Sequence, residues 1–264
     1  MKTVTTSVRF TANLLRLMLC AVFLLSAQVC KAASTSVLFV GNSYVYVNDL
    51  PAMFSTIAKS FGTPVEVDMA APGGYSWQQH AQDKGTLAKI SSRKWSFVVL
   101  QEQSQRPDWP SYSLEKFVIP YALQLHDIIH KDHAKTVFFE TWGHKNGDRF
   151  NCANFPETCT YQGMQNRLSA TYAKLARQTK GVLVPVGTAW SKVRAAHPDI
   201  ELYAGDGIHP SRQGTYLAAC VFYSALFRKG VLGADSLGLP AAQAEILQRI
   251  AQDAVFHSAA PADR

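Results

Sequence analysis

Five short apolar runs, at residues 36–40, 65–69, 97–101, 136–140 and 182–186, punctuate this chain, and they constrain its fold more than any other feature. They are rich in Val and Phe and mostly continuous rather than alternating, as a strand buried on both faces requires. Helical signals lie between them. Residues 50–61 follow Asn48-Asp49 and carry Pro51 near their start, a sound helix opening. Residues 114–130 and 161–178 place apolar side chains at three- and four-residue spacing, and 211–228 and 240–256 read as closing helices. Strands alternating with helices predict an α/β fold, a parallel sheet of five strands with helices on both faces.

The N-terminus is set apart from this pattern. Lys2, Arg9 and Arg16 precede the apolar run at 17–25, and the small residues Ala32-Ala33-Ser34 follow. That is the order of a secretory signal peptide, with cleavage after Ala32 or Ala33. The run is short of the roughly 20 residues of a membrane span, so an uncleaved anchor is the lesser alternative. The expected division is therefore a signal peptide at 1–33 and one domain at 34–264, with the last residues, 258–264, frayed. Neither Cys20 nor Cys30 follows the small residue that lipid attachment would want.

Export changes the reading of charge. The whole chain carries a formal +7, but residues 1–32 hold Lys2, Arg9, Arg16 and Lys31 and no acid. What remains is 22 basic against 19 acidic residues, or +3, with no dense basic run. Nucleic acid is not an expected partner, nor is stable membrane insertion after cleavage. Cys152 and Cys159 flank a loop-like stretch, and in an oxidising compartment they are expected to form a disulfide. Cys220, in an apolar helical stretch, is expected to be a buried free thiol.

The chemistry gathers where strands end. The first run closes in Gly41-Asn42-Ser43, which puts a hydroxyl at the carboxyl edge of a sheet, where ligands bind in open α/β folds. Asp206-Gly207-Ile208-His209-Pro210 supplies a base for it. His209 can take the hydroxyl proton, and Asp206, three residues earlier, can hold the imidazole tautomer or else cap the following helix. Taken singly, Ser43 and His209 are ordinary turn or loop residues; together they make a catalytic constellation for a serine esterase.

These blocks resemble those of the SGNH/GDSL hydrolases. Gly41-Asn42-Ser43 matches the first block of that family, with Asn where Asp is commoner, Gly74 the glycine block, and Asp206-x-x-His209-Pro210 the last. The resemblance spans essentially the whole chain after the signal segment. It implies a flavodoxin-like three-layer α/β/α sandwich and an acyl-enzyme on Ser43, with no metal or cofactor. It also implies an oxyanion hole of the backbone N–H groups of Ser43 and Gly74 plus a side-chain amide. The third block departs: Gln101-Glu102-Gln103-Ser104-Gln105 stands where the family usually has Gly-x-Asn-Asp. By count Gln105 takes the asparagine position, and Gln103 is the alternative, each donating from one methylene further out.

The strips after the third and fourth runs hold Trp109, Trp142 and His144, and Tyr75 lies beside the glycine block. They are read either as packing residues or as a substrate groove with aromatic faces for sugar rings. His126 and His130 stand at a zinc-protease-like spacing, but Asp replaces the glutamate base and no third ligand follows, so no metal is expected. The expected function is an exported esterase, periplasmic or secreted, acting on small acyl esters, acetyl among them, of small molecules or glycans. An acyltransferase with the same site, or a non-catalytic carbohydrate-binding protein, are the alternatives. The sequence does not set the oligomeric state.

Overall fold

The structure, a computed structural model, describes residues 34–257. The expected signal segment 1–33 and the frayed end at 258–264 lie outside the described residues. The five apolar runs form five strands: β1 (Thr35–Val40), β2 (Val65–Ala70), β3 (Phe97–Leu100), β4 (Lys135–Phe139) and β5 (Val182–Val184). Every neighbouring pair is parallel, in the order β2-β1-β3-β4-β5. Ten α-helices are described: α1 (Ser43–Tyr46), α2 (Leu50–Ser60), α3 (Trp77–His80), α4 (Lys84–Ile90), α5 (Ser111–Phe117), α6 (Ile119–Lys131), α7 (Tyr161–Thr179), α8 (Val186–Ala196), α9 (Arg212–Phe227) and α10 (Ala241–Phe256).

The continuous apolar character of the strands follows from burial on both faces. Val37 and Phe39 of β1 enter one layer with Val99, Val137 and Phe139, covered by α2, α8, α9 and α10. Leu38 and Val40 enter the other with Val98, Leu100 and Phe138, against α3, α4, α6 and α7. The side chains alternate while the sequence does not, because both sides are core. This is the expected three-layer arrangement. Among the described residues no helix is long and apolar enough to cross a membrane.

Local chemistry moves several boundaries. The helix expected at 114–130 is two, α5 and α6, broken at Val118. Pro120 lies in the first turn of α6, where its missing N–H costs nothing, and it cannot continue a helix from the N-terminal side. Strand β5 stops before Pro185, and Val186, expected as strand, opens α8 instead. The short helix α3 opens on a capping box, Ser76 with Gln79, whose S-x-x-Q pattern is present in the sequence.

The sheet order places the site. Val40 pairs with Ala70 on one side and Leu100 on the other, so β1, β2 and β3 end level. The connection after β1 runs to β2 on one side of the sheet, and the connection after β3 runs to β4 on the other. The crevice beyond the carboxyl end of β1 is the switch point where open α/β sheets bind ligands. Residues 41–43 stand at that crevice.

Candidate active site

The turn that carries Ser43 is built by its two predecessors. A Cβ on Gly41 would lie 2.5 Å from Gln101 Oε1 and 2.7 Å from Val45 Cγ2, so only glycine fits there. Asn42 is buried and caps α1, its Oδ1 accepting from Tyr44 N at 3.2 Å. Its backbone N–H donates to Gln101 Oε1 at 2.9 Å, and its Nδ2 donates to Tyr75 O at 2.9 Å. That last bond needs an amide donor, which an ionised aspartate lacks, and it gives a physical reason for Asn at this position. Three bonds thus aim Ser43 off the end of β1.

The turn at 206–209 brings the base. Asp206 Oδ1 accepts the backbone N–H groups of Ile208 and His209, each at 2.9 Å, and Gly207 takes φ +71° to close the turn. Asp206 Oδ2 lies 2.6 Å from His209 Nδ1, and His209 Nε2 lies 2.9 Å from Ser43 Oγ. A carboxylate only accepts, so Nδ1 carries the proton and Nε2 is left to accept from the serine hydroxyl. Partial burial opposes ionisation of Asp206, but the bonds from His209 and the two backbone donors outweigh it and hold its carboxyl at about 2. Asp206 does not cap the next helix; Ser211 does, accepting from Gly214 N.

Donors for an oxyanion stand nearby. Neither the Ser43 N–H nor the Gly74 N–H finds an acceptor among the described residues. Gly74 takes φ +71°, a conformation that favours glycine. Gln103 and Gln105 both border the same open cleft, of about 440 Å³, as Ser43, Gly74 and His209. Gln103 Oε1 accepts the Gln105 N–H at 2.9 Å, and Gln103 Nε2 donates to Gln105 Oε1 at 3.2 Å. Gln105 Nε2 donates to Asp148 Oδ1 at 2.6 Å. Each amide nitrogen therefore has one N–H left over.

The four aromatic and histidine candidates separate. His144 borders the cleft, its Nε2 3.1 Å from Ser104 Oγ, and burial lowers its pKa. Trp142 does not line the cleft and is corrected to a core residue. It is 1% exposed, stacked between Tyr44 at 4.4 Å and Trp190 at 4.1 Å, and it donates to Ile208 O. Trp109 packs edge-on to Phe117 under the Arg106 guanidinium, away from the cleft wall. Tyr75 acts through its carbonyl on Asn42, while its ring meets His80 edge-on. The reason is common to all three: an aromatic ring beside a strand end gains more by packing than by facing water.

Tyr44, Tyr46, Phe150 and Ile208 border the cleft without having been singled out. Tyr44 and Tyr46 could have been found from α1, which presents the residues following Ser43. Cys152 and Cys159 form the expected disulfide, and Cys220 is buried and free. His126 and His130 stack at the amino end of β4, the opposite sheet edge from Ser43, with His126 Nδ1 2.8 Å from Thr136 Oγ1.

No family model matches the chain, and no curated protein matches it. Solved structures do. The chain is similar to a candidate SGNH hydrolase from Slackia heliotrinireducens at 27% identity, covering 73% of this chain and 99% of that one with a TM-score of 0.59. It is also similar to a DUF4886 family protein from Bacteroides uniformis at 17% identity, covering 84% and 95%, with a TM-score of 0.69. An acetyl xylan esterase shares the fold at 16% identity, covering 72% and 99%, with a TM-score of 0.53.

Proposed function

We propose that this chain, whose fold and site resemble those of the SGNH hydrolases, is an exported serine esterase removing small acyl groups, acetyl foremost, from carbohydrates. The observation that carries this reading is the unbroken donor chain from Ser43 Oγ to His209 to Asp206 at the mouth of the cleft. Export is supported by the Cys152–Cys159 bond, since disulfides persist in oxidising compartments. The polar glutamine strip and the glycines at 73 and 74 beside Ser43 suit a small acyl group.

The residues divide the work as follows. Ser43 Oγ attacks the ester carbonyl carbon as its proton passes to His209 Nε2. Asp206, ionised, stabilises the imidazolium through Nδ1. The carbonyl oxygen becomes an oxyanion held by the N–H groups of Ser43 and Gly74 and by the remaining amide N–H of Gln105, which Gln103 and Asp148 hold in place. Collapse of the tetrahedral intermediate breaks the ester C–O bond, and the leaving alcohol takes the proton from His209. Water, losing a proton to the same nitrogen, then attacks the acyl carbon and frees Ser43. Removing one oxyanion donor costs about 10²–10³ in kcat in such sites, so Gln105→Ala should fall that far and Gln103→Ala less.

The test is labelling with a fluorophosphonate probe alongside hydrolysis of p-nitrophenyl acetate. Wild type should be labelled at Ser43 and turn over the ester, and Ser43→Ala should do neither. A wild-type protein that binds acetylated glycan but is neither labelled nor active would be a binding module.

A further inference from the structure

The cleft at Ser43 continues into a smaller recess of about 90 Å³ beside Asp206, Gly207 and Ile208, walled by Arg149 and Phe150. Phe150 borders both spaces. It is 76% exposed, and Tyr46, which borders the cleft near Gly73, is 43% exposed. Single exposed apolar side chains are ordinary on protein surfaces. These two, however, lie beside one candidate nucleophile, and the backbone of Phe150 is tied into its turn. Asp148 Oδ1 accepts the backbone N–H groups of Phe150 and Asn151, and Asp148 Oδ2 accepts from Asn151 Nδ2. The Cys152 N–H bonds to Asp148 O, and Cys152 is tied to Cys159. The turn that presents Arg149 and Phe150 is thus fixed at its base before any ligand arrives.

Arg149 is exposed, and its guanidinium makes no ion pair or hydrogen bond among the described residues. The carboxylates around it are already engaged. Asp206, which borders the same recess, is held by His209. Asp148 is consumed by its own turn and by Gln105. Among the described residues Arg149 is the one permanently charged cation bordering the recess. A single guanidinium suits a singly charged, planar anion, which it can grip with two parallel N–H bonds. A doubly charged phosphate would call for a second donor cation.

Resting on the esterase reading, we propose that Arg149 and Phe150 form a subsite for a carboxylate-bearing saccharide. The ester cleaved at Ser43 then sits on, or next to, a uronic acid ring, whose apolar face lies on Phe150 and whose carboxylate pairs with Arg149.

The experiment compares kcat/KM on O-acetylated oligogalacturonide, on neutral O-acetylated xylo-oligosaccharide and on p-nitrophenyl acetate. Wild type is expected to favour the acidic glycan over the neutral one by about tenfold at low salt, the worth of one charge-assisted contact. That preference should shrink as ionic strength rises to roughly 0.5 M, where the Debye length is a few ångströms. Arg149→Gln should bring the two glycans level through a higher KM for the acidic one, and Arg149→Lys should keep part of the preference. Calorimetric titration of Ser43→Ala protein reads binding without turnover, and there Arg149→Gln should weaken only the acidic glycan. Hydrolysis of p-nitrophenyl acetate with no acidic preference, or a preference that survives Arg149→Gln, overturns the subsite and leaves the esterase standing. A wild type that cleaves none of the three esters overturns the esterase reading, and the subsite with it.

Discussion

His80 Nε2 stands 2.8 Å from the carbonyl oxygen of Gly41, two residues before Ser43. A carbonyl only accepts, so this nitrogen carries the proton and donates. The other nitrogen lies 3.0 Å from the Thr86 hydroxyl, itself 2.8 Å from Asp83 Oδ2. The ring is fully buried, and burial lowers its pKa, which favours the neutral imidazole. A second histidine therefore fastens the Ser43 turn from behind without touching the cleft.

His80→Ala should leave the Gly41 carbonyl without its partner and open a cavity against Tyr75. The expected result is a loss of about 1–3 kcal/mol of stability, the cost of stranding a buried polar group. Together with it, kcat should fall while KM on p-nitrophenyl acetate stays nearly constant, because the turn rather than the cleft wall has moved. Urea melts and steady-state kinetics on the same preparation check this, and a variant with reduced stability but full kcat would remove the positioning role.

Asp206 gives a sharper prediction. Its carboxyl is held at about 2, below its ordinary 3.8, so whatever it contributes to folding is complete above about 3.8 and is lost as pH falls through 2. It remains ionised throughout the range in which an esterase is assayed, so its titration will not shape the acid limb of activity. Asp206→Asn should lower kcat by about 10³–10⁴, since the amide can donate to Nδ1 and turn the wrong tautomer towards Ser43. The circular dichroism spectrum should not change. A loss of less than tenfold would mean that Asp206 serves the turn alone, through its bonds to Ile208 and His209.

The strands and the Ser43, Asp206 and His209 set were legible because each is local. An apolar run bounded by polar residues is visible in five letters, and Asp206 reaches His209 across three residues. The cleft walls were not legible, because they depend on which rings the core claims. Trp142 and Phe150 both lie in the segment after β4, yet one is stacked between Tyr44 and Trp190 and the other stands in water. Nothing within either residue's neighbourhood in sequence separates them. The break at Val118 and the start of α8 after Pro185 are marked by prolines, but the apolar residues run on through both, so apolar character alone does not show them.

Trp142 can be used to test that separation. Its removal should cost about 3–5 kcal/mol, as for other buried large aromatic side chains, and lower the melting temperature by several degrees. Trp142→Phe keeps the ring stack with Tyr44 in part, and should retain the relative kcat/KM across neutral and acidic acetylated glycans even where overall stability drops. A Phe variant with altered selectivity would put Trp142 back at the cleft.

Glu102 links the third strand to pH. It is fully buried just past β3, and its carboxyl accepts the N–H groups of Trp77, at 3.1 and 3.0 Å, and Gln103, at 2.8 Å. Burial pushes its pKa up to about 7 from an ordinary 4.5, against the pull of Arg106 and those bonds. Because the folded pKa is the higher one, the folded state keeps a proton that the unfolded chain has lost between pH 4.5 and 7. The stability held below 4.5 is therefore lost progressively up to about 7 and is flat above it. Glu140, buried and likewise raised to about 7, adds a slope of the same sign. Glu102→Gln keeps an oxygen for both backbone donors and removes this slope, leaving those of Glu140 and of Asp108, whose carboxyl burial raises to about 8. Thermal melts from pH 4.5 to 8 should show wild type losing more stability than the variant over this range, with the difference saturating near neutrality. Parallel curves would mean that Glu102 ionises alike in the folded and unfolded chain.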